Sequence, residues 1–203
     1  MGLFEKLFGG GKKKVSKETM ETRGQHMPDL QIPVDEKFTI NFKHNGGKFL
    51  YCDSIEEIYD HLNNIIIENK WQDQAFFSLD KNLESKFSRL EISYTDQPAK
   101  SLVFFTTCEH LIAQNGSILV CSNQLKERKL NELPPNLIVF ATTSQLVDSI
   151  GEGLKTIKKK YRDHIPANIT TIKHFLPTEE NSDNFLTYGS SSKNLYLLLL
   201  EDL

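Results

Sequence analysis

The run Thr107-Cys108-Glu109-His110 sets a hydroxyl, a thiol, a carboxylate and an imidazole side by side. On a helix, adjacent side chains point about 100° apart, so these four neither converge on one metal nor form a nucleophile–base pair. Glu109 is the candidate general base if it is buried; a solvated or cap-stabilising carboxylate is the alternative. Thr107 is a candidate ligand contact, and His110 reads as an ordinary turn or surface histidine. A second candidate is Asn115-Gly116-Ser117, where glycine permits close backbone approach and a hydroxyl can hold a phosphate or carboxylate. The third is Gly189-Ser190-Ser191-Ser192-Lys193, whose backbone N–H groups, hydroxyls and cation suit an anion nest. It departs from the P-loop pattern and leads into a strand, so a polar turn is its alternative reading. Thr142 and Thr143, just after the apolar run Leu137-Ile138-Val139-Phe140, complete the ligand-binding candidates.

Other signatures are missing: GxGxxG, GxSxG, HExxH and the calcium loop do not occur. Cys52, Cys108 and Cys121 are an odd set without a CxxC pair, and the six histidines are dispersed. No disulfide framework, resident metal or cofactor is therefore expected, and a reducing cytoplasm fits. The chain has 203 residues, 38% hydrophobic and 25% charged, with net charge −3, which describes a globular protein with a full core. Residues 1–17 hold five lysines against one glutamate, a local +4, so the remainder sums to −7. An acidic body argues against nucleic acid as a partner. No apolar run approaches the roughly 20 residues of a membrane-spanning helix.

The elements that must position these residues follow from the patterning. Residues 1–33 read as a flexible tail, broken by Gly9-Gly10-Gly11 and by Pro28 and Pro33. Within it Leu3, Phe4, Leu7 and Phe8 stand at helical spacing before Lys12-Lys13-Lys14, which suits a short amphipathic contact with an anionic surface or a partner. Residues 34–203 read as one α/β domain. Phe49–Tyr51 is a strand, and Ser54 with Glu57 forms a capping box opening a helix to about Asn69. Ala75–Leu79, Leu90–Tyr94 and Leu102–Thr106 read as strands, then a turn or short helix over Glu109–Gln114, then the strand Ile118–Cys121. Leu137–Phe140 reads as a strand inside a parallel sheet. Thr142 with Gln145 predicts a second capping box and a helix with the stripe Leu146, Val147, Ile150, Leu154, Ile157 and Tyr161. Lys155, Lys158, Lys159 and Lys160 cluster toward its end, where they suit the helix dipole. Ile169–Ile172 and Leu195–Leu200 read as the last strands, and Pro177–Asn184 as an acidic loop. Alternating strands and helices predict a mainly parallel sheet between layers, with ligands beyond the carboxyl ends of its strands.

The segment Glu109-His110-Leu111-Ile112-Ala113-Gln114-Asn115-Gly116-Ser117-Ile118-Leu119-Val120 resembles the middle motif of the lactate-utilisation (LUD) domain, A-x-x-I-A-E-T-G-S/T-L-V-L. The stretch Leu137 through Val147 is similar to that family's strand leading to Gln-Ile-Val. Gly189 through Leu195-Tyr196-Leu197-Leu198-Leu199-Leu200-Glu201-Asp202 resembles its terminal glycine-rich turn and strand. The resemblance covers about residues 48–203. It implies a three-layer α/β/α fold with a mainly parallel sheet, like sugar-phosphate isomerases and coenzyme A transferases. It also implies a role in L-lactate utilisation beside an iron–sulfur protein. Gln114 stands where the motif has glutamate, Ser191-Ser192-Lys193 replaces His-Gly-Pro, and Pro166–Phe175 lacks the family's Gly-Pro-Ser and Thr-Ala-Asp elements. Coenzyme A transferases form an acyl intermediate on the glutamate of a Glu-Asn-Gly turn, and the amide of Gln114 cannot replace that nucleophile.

Three functions are expected in turn. The first is a non-catalytic or accessory LUD-domain protein binding a small anionic metabolite or a partner, in lactate utilisation or related redox metabolism. The second is an enzyme acting on a sugar phosphate or acyl thioester, with Glu109 as its base. The third is a non-catalytic scaffold, attached peripherally through residues 1–17. Whether the chain is an enzyme stays open at this point.

Overall fold

The computed structural model describes residues 32–175 and 193–202. The predicted tail up to residue 31, the acidic loop and the ligand candidates Gly189, Ser190 and Ser191 lie outside the described residues. The unit containing the described residues runs from Ile32 to Leu203.

Six strands form a sheet whose every pairing is parallel: β1 (Lys48–Cys52), β10 (Asn194–Leu200), β7 (Asn136–Thr142), β4 (Val103–Thr106), β2 (Phe76–Phe77) and β3 (Tyr94–Thr95), in that spatial order. The central strands are apolar on both sides because both sides are covered. Period-2 alternation divides them: Phe105, Ile138, Phe140, Tyr196 and Leu198 face one core, while Phe104, Leu137, Val139, Leu195 and Leu197 face the other. The first core is closed by α2 (Ile55–Glu68), through Ile58, Leu62, Ile65 and Ile66, and by α3 (Lys81–Lys86) through Leu83. The Ser54 cap that opens α2 is as predicted, its hydroxyl accepting from the Glu57 N–H at 3.3 Å, but the Glu57 carboxylate accepts from the Asp53 N–H at 3.0 Å rather than from Ser54, so the box is only half formed. Phe87, just past α3, is fully buried with its ring 5.1 Å from Phe105 and 5.4 Å from Phe140.

The second core is closed by α1 (Val34–His44), through Phe38 and Phe42, and by a small four-stranded sheet. That sheet has the order β8 (Leu146–Val147), β5 (His110–Ile112), β6 (Ser117–Val120), β9 (Thr170–Ile172). Leu111, Ile118, Val120 and Ile172 face the large sheet, and Ile112, Leu119 and Val147 face outward onto Ile157 of α5 (Ile150–Tyr161). Helix α5 comes close because Gly153 has no side chain: a Cβ there stands 3.1 Å from Leu119 Cδ2. The result is a three-layer α/β arrangement with a mainly parallel sheet, as the sequence predicts.

The structure departs from the predicted elements in several places, among them the unpredicted short helices Lys81–Lys86 and Ser122–Leu125. The turn or short helix over Glu109–Gln114 is instead β5, because Asn115-Gly116 closes a hairpin to β6 and the ladder supplies partners to residues 110–112. The helix predicted from Thr142 is a single 3-10 turn over Thr143–Gln145 followed by β8; α5 begins only at Ile150, with Ser149 as its cap. Leu90–Tyr94 pairs only from Tyr94, after a 3-10 turn over Ser88–Leu90. Helix α1 has no counterpart among the predicted elements, although Asp35 and Glu36 in its first turn and Lys43 and His44 in its last suit a helix dipole.

The hairpin turn is pinned to the end of α1. The Asn41 amide donates to the Ala113 carbonyl at 2.8 Å, and the Asn45 amide donates to the Asn115 carbonyl at 2.7 Å. Gly116 has φ +64°, and a Cβ there stands 2.3 Å from the Asn41 carbonyl carbon. Gly116→Ala is expected to lower the stability to chemical denaturation by about 2 kcal/mol or more, from left-handed strain plus a backbone clash. Gly151→Ala, whose Cβ meets nothing nearer than 3.9 Å, is expected to be neutral or stabilising by up to about 1 kcal/mol.

Candidate functional site

Glu109 lies in the connection between β4 and β5 and is 4% exposed. Its backbone N–H donates to Leu119 at 2.9 Å, which turns the side chain toward the residues following β6. Oε1 accepts from Tyr161 Oη at 2.9 Å, Gln124 Nε2 at 3.1 Å, Asn123 Nδ2 at 3.3 Å and Cys121 Sγ at 3.3 Å. Oε2 accepts from Lys160 Nζ at 3.1 Å and Tyr161 Oη at 3.1 Å. Burial acts to raise the carboxyl pKa, but the bonds from Gln124, Lys160 and Tyr161 outweigh it and bring it from 4.5 down to about 2. A carboxylate so held stays ionised and is a poor acceptor for a further proton near neutrality.

Three elements meet on this carboxylate. Cys121 caps α4 (Ser122–Leu125), which carries Asn123 and Gln124, and α5 brings Lys160 and Tyr161 at its carboxyl end. Tyr161 belongs to the predicted apolar stripe and Lys160 to the predicted dipole cluster, and neither reading points to Glu109. These partners lie 12 to 52 residues from Glu109 in sequence, so no local pattern announces them. His110 is not a surface residue: it is 7% exposed under α5, Nδ1 lies 3.2 Å from the Gln145 carbonyl, and burial depresses its pKa. The three cysteines are free and buried, and burial pushes the Cys121 thiol up to about 11 and that of Cys52 to about 12. As thiols rather than thiolates they are weak nucleophiles and metal ligands. Among the described residues no three His, Cys, Asp or Glu converge on a metal position.

The ligand candidates fall in three places. Thr107 follows β4, and Thr142 ends the neighbouring β7, so both stand at the carboxyl edge of the large sheet with Thr143. The Gln145 side chain ties this edge together, donating to the Cys108 carbonyl at 2.6 Å while its oxygen accepts from the Thr142 N–H at 2.8 Å. Just past β10, Asp202 docks there: its carboxylate accepts from Thr143 Oγ1 at 2.9 Å, the Ser144 N–H at 2.8 Å and Ser144 Oγ at 2.7 Å. Burial works against this charge, and the Ser144 and Thr143 bonds prevail, bringing its pKa to about 2. Asp202 and Ser144 were not among the predicted site residues. Asn115, Gly116 and Ser117 sit elsewhere, at the far end of β5, where Gln114 neighbours Asp148 and the turn packs on α1. Ser117 Oγ is already donated to Asn115 Oδ1 at 2.7 Å. Lys193 precedes β10 at the amino edge of the sheet, 5% exposed, with Nζ donating to the Leu133 carbonyl at 2.7 Å and its pKa lowered by burial.

The Glu109 cage has a pH signature. A carboxyl whose folded pKa lies below its unfolded value contributes stability that is complete above about pH 4.5 and is lost as pH falls toward 2. Glu109→Gln is expected to cost about 1–3 kcal/mol at neutral pH and to flatten the acid limb of stability between those values, measured by urea unfolding across pH.

Comparison with known proteins agrees with the fold. The model of the LUD domain matches residues 36–200. Among solved structures, a DUF162 family protein from Deinococcus radiodurans superposes with TM-score 0.56 at 13% identity, covering 83% of this chain and 96% of that one, a likeness of fold. No curated protein matches the chain. With the family model spanning every described strand and nearly all of α1, the chain belongs to the LUD domain family.

Proposed function

We propose that this LUD domain is an accessory, non-catalytic component of L-lactate utilisation or a related redox metabolism. In this reading it binds a small anionic metabolite at the carboxyl edge of the parallel sheet and works beside an iron–sulfur protein in the cytoplasm. One observation supports it: the hydroxyl and N–H donors at that edge are arranged to hold a carboxylate, that of Asp202, which a ligand carboxylate would displace. The hydroxyls of Thr143 and Ser144 and the Ser144 N–H meet the Asp202 side chain, and Thr142 Oγ1 lies 3.0 Å from Ser144 Oγ in the same group. Charge-assisted bonds of this kind suit the carboxylate of a hydroxy acid equally well. Thr107, half-buried at the end of the adjacent strand, extends the group.

Two features weigh against catalysis. Glu109, the one candidate base, has both oxygens occupied, and Gln114 offers an amide where acyl transfer needs a carboxylate. A thermal-unfolding series with L-lactate, inorganic phosphate and acetyl-coenzyme A tests the reading. L-lactate is expected to raise the midpoint with concentration, by about 2.7 kcal/mol of stability at a hundredfold excess over its Kd. Thr142→Val is expected to abolish that rise. A midpoint unmoved by L-lactate overturns the metabolite assignment, and a rise with acetyl-coenzyme A alone favours an acyl-thioester enzyme instead.

A further inference from the structure

The solvent face of α5 is charged in a way the Glu109 cage does not use. Lys155, Lys158 and Lys159 recur three and four residues apart, so they share one side of the helix, turned away from the buried Gly153 and Ile157. All three are exposed, and Arg162 follows at the helix end. Lys155, Lys158 and Lys159 take no part in the ion pairs Lys37–Asp148, Lys81–Glu84 and Lys160–Glu109. The acids on the same stretch are Glu152 and Asp163. Glu152 is engaged at the other end of α5, where its carboxylate accepts from the Asp148 N–H at 3.0 Å. Two aliphatic side chains of this stretch are exposed as well: Leu154 on α5, at 41%, and Ile165, four residues past its end, at 49%.

We propose that this face of α5 is a docking surface for an anionic lipid bilayer. Lysines beside exposed aliphatic residues meet both demands of a membrane interface, attraction to acidic headgroups and shallow burial of apolar surface. An acidic polypeptide would satisfy the first demand and leave Leu154 and Ile165 unexplained. The sequence repeats the same chemistry at Leu3, Phe4, Leu7 and Phe8 followed by Lys12-Lys13-Lys14. The body of the protein is otherwise acidic, so the stripe also selects which side faces the surface.

The test is sedimentation of the full chain with phosphatidylcholine vesicles, with and without phosphatidylglycerol. Binding is expected only with phosphatidylglycerol and is expected to weaken as salt rises. Lys155→Gln, Lys158→Gln and Lys159→Gln together are expected to lower the partition coefficient about a hundredfold, and the three changes to Glu by more. Because these side chains are exposed, the unfolding midpoint of either variant is expected to match that of the parent. No binding to the anionic vesicles, or equal binding to the neutral ones, overturns the proposal. So does a triple variant that sediments like the parent, which would leave attachment to residues 1–17. Binding of poly-glutamate in place of vesicles would overturn it in favour of an acidic protein partner.

Discussion

A carboxylate removed from water must be met by donors, and the arrangement of the small sheet and α5 follows from how Glu109 meets that requirement. Its two oxygens draw on Tyr161 and Lys160 at the end of α5, on Asn123 and Gln124 in α4, and on Cys121 at the end of β6. Take the charge away and these donors lose their common acceptor, with Gln124 and Cys121 left in a buried setting where unmet polar groups are costly. The same bonds that fix the fold fix the protonation state. A base pulled down to about pKa 2 anchors its neighbours and does not shuttle protons at neutral pH.

Among the described residues, two low-pKa carboxylates are held in different ways. Glu109 is enclosed between elements, whereas Asp202 is exposed at the carboxyl edge of the large sheet and is held by Thr143 and Ser144. The first setting serves cohesion; the second has the access that binding requires. In parallel sheets this edge is where backbone and hydroxyl donors of successive strand ends collect, and the turn after β7 follows that rule. Lys193 lies at the opposite edge, so its cation and the threonines do not form one group.

Much of this was legible in the residues. The parallel sheet could be read because Leu137–Phe140 and Leu195–Leu200 are apolar at every position, which only a strand covered on both sides requires. The start of α2 could be read because its signal, Ser54 to Glu57, spans three residues. The small sheet was harder: β5 has three residues and owes its conformation to pairing with β6 and β8 rather than to its own pattern. Thr142 and Gln145 form the predicted capping contacts, yet the chain pairs with β5 before it coils, so the box closes one turn and the helix waits for Ser149. The cage around Glu109 was illegible in principle, since its members come from segments up to 52 residues apart and each has a sufficient local explanation. The residue type makes a buried Glu109 a candidate base, but nothing in the local sequence pattern predicts that burial brings so many donors.

Glu109 is a charged anchor for its neighbours rather than a group poised to exchange protons near neutrality. The most direct measurement is the carboxyl carbon chemical shift of Glu109 followed by NMR as pH is lowered in the folded protein. A titration midpoint near 2, below the ordinary 4.5, is expected. A midpoint at or above 4.5 would contradict it and restore Glu109 as an acid–base group.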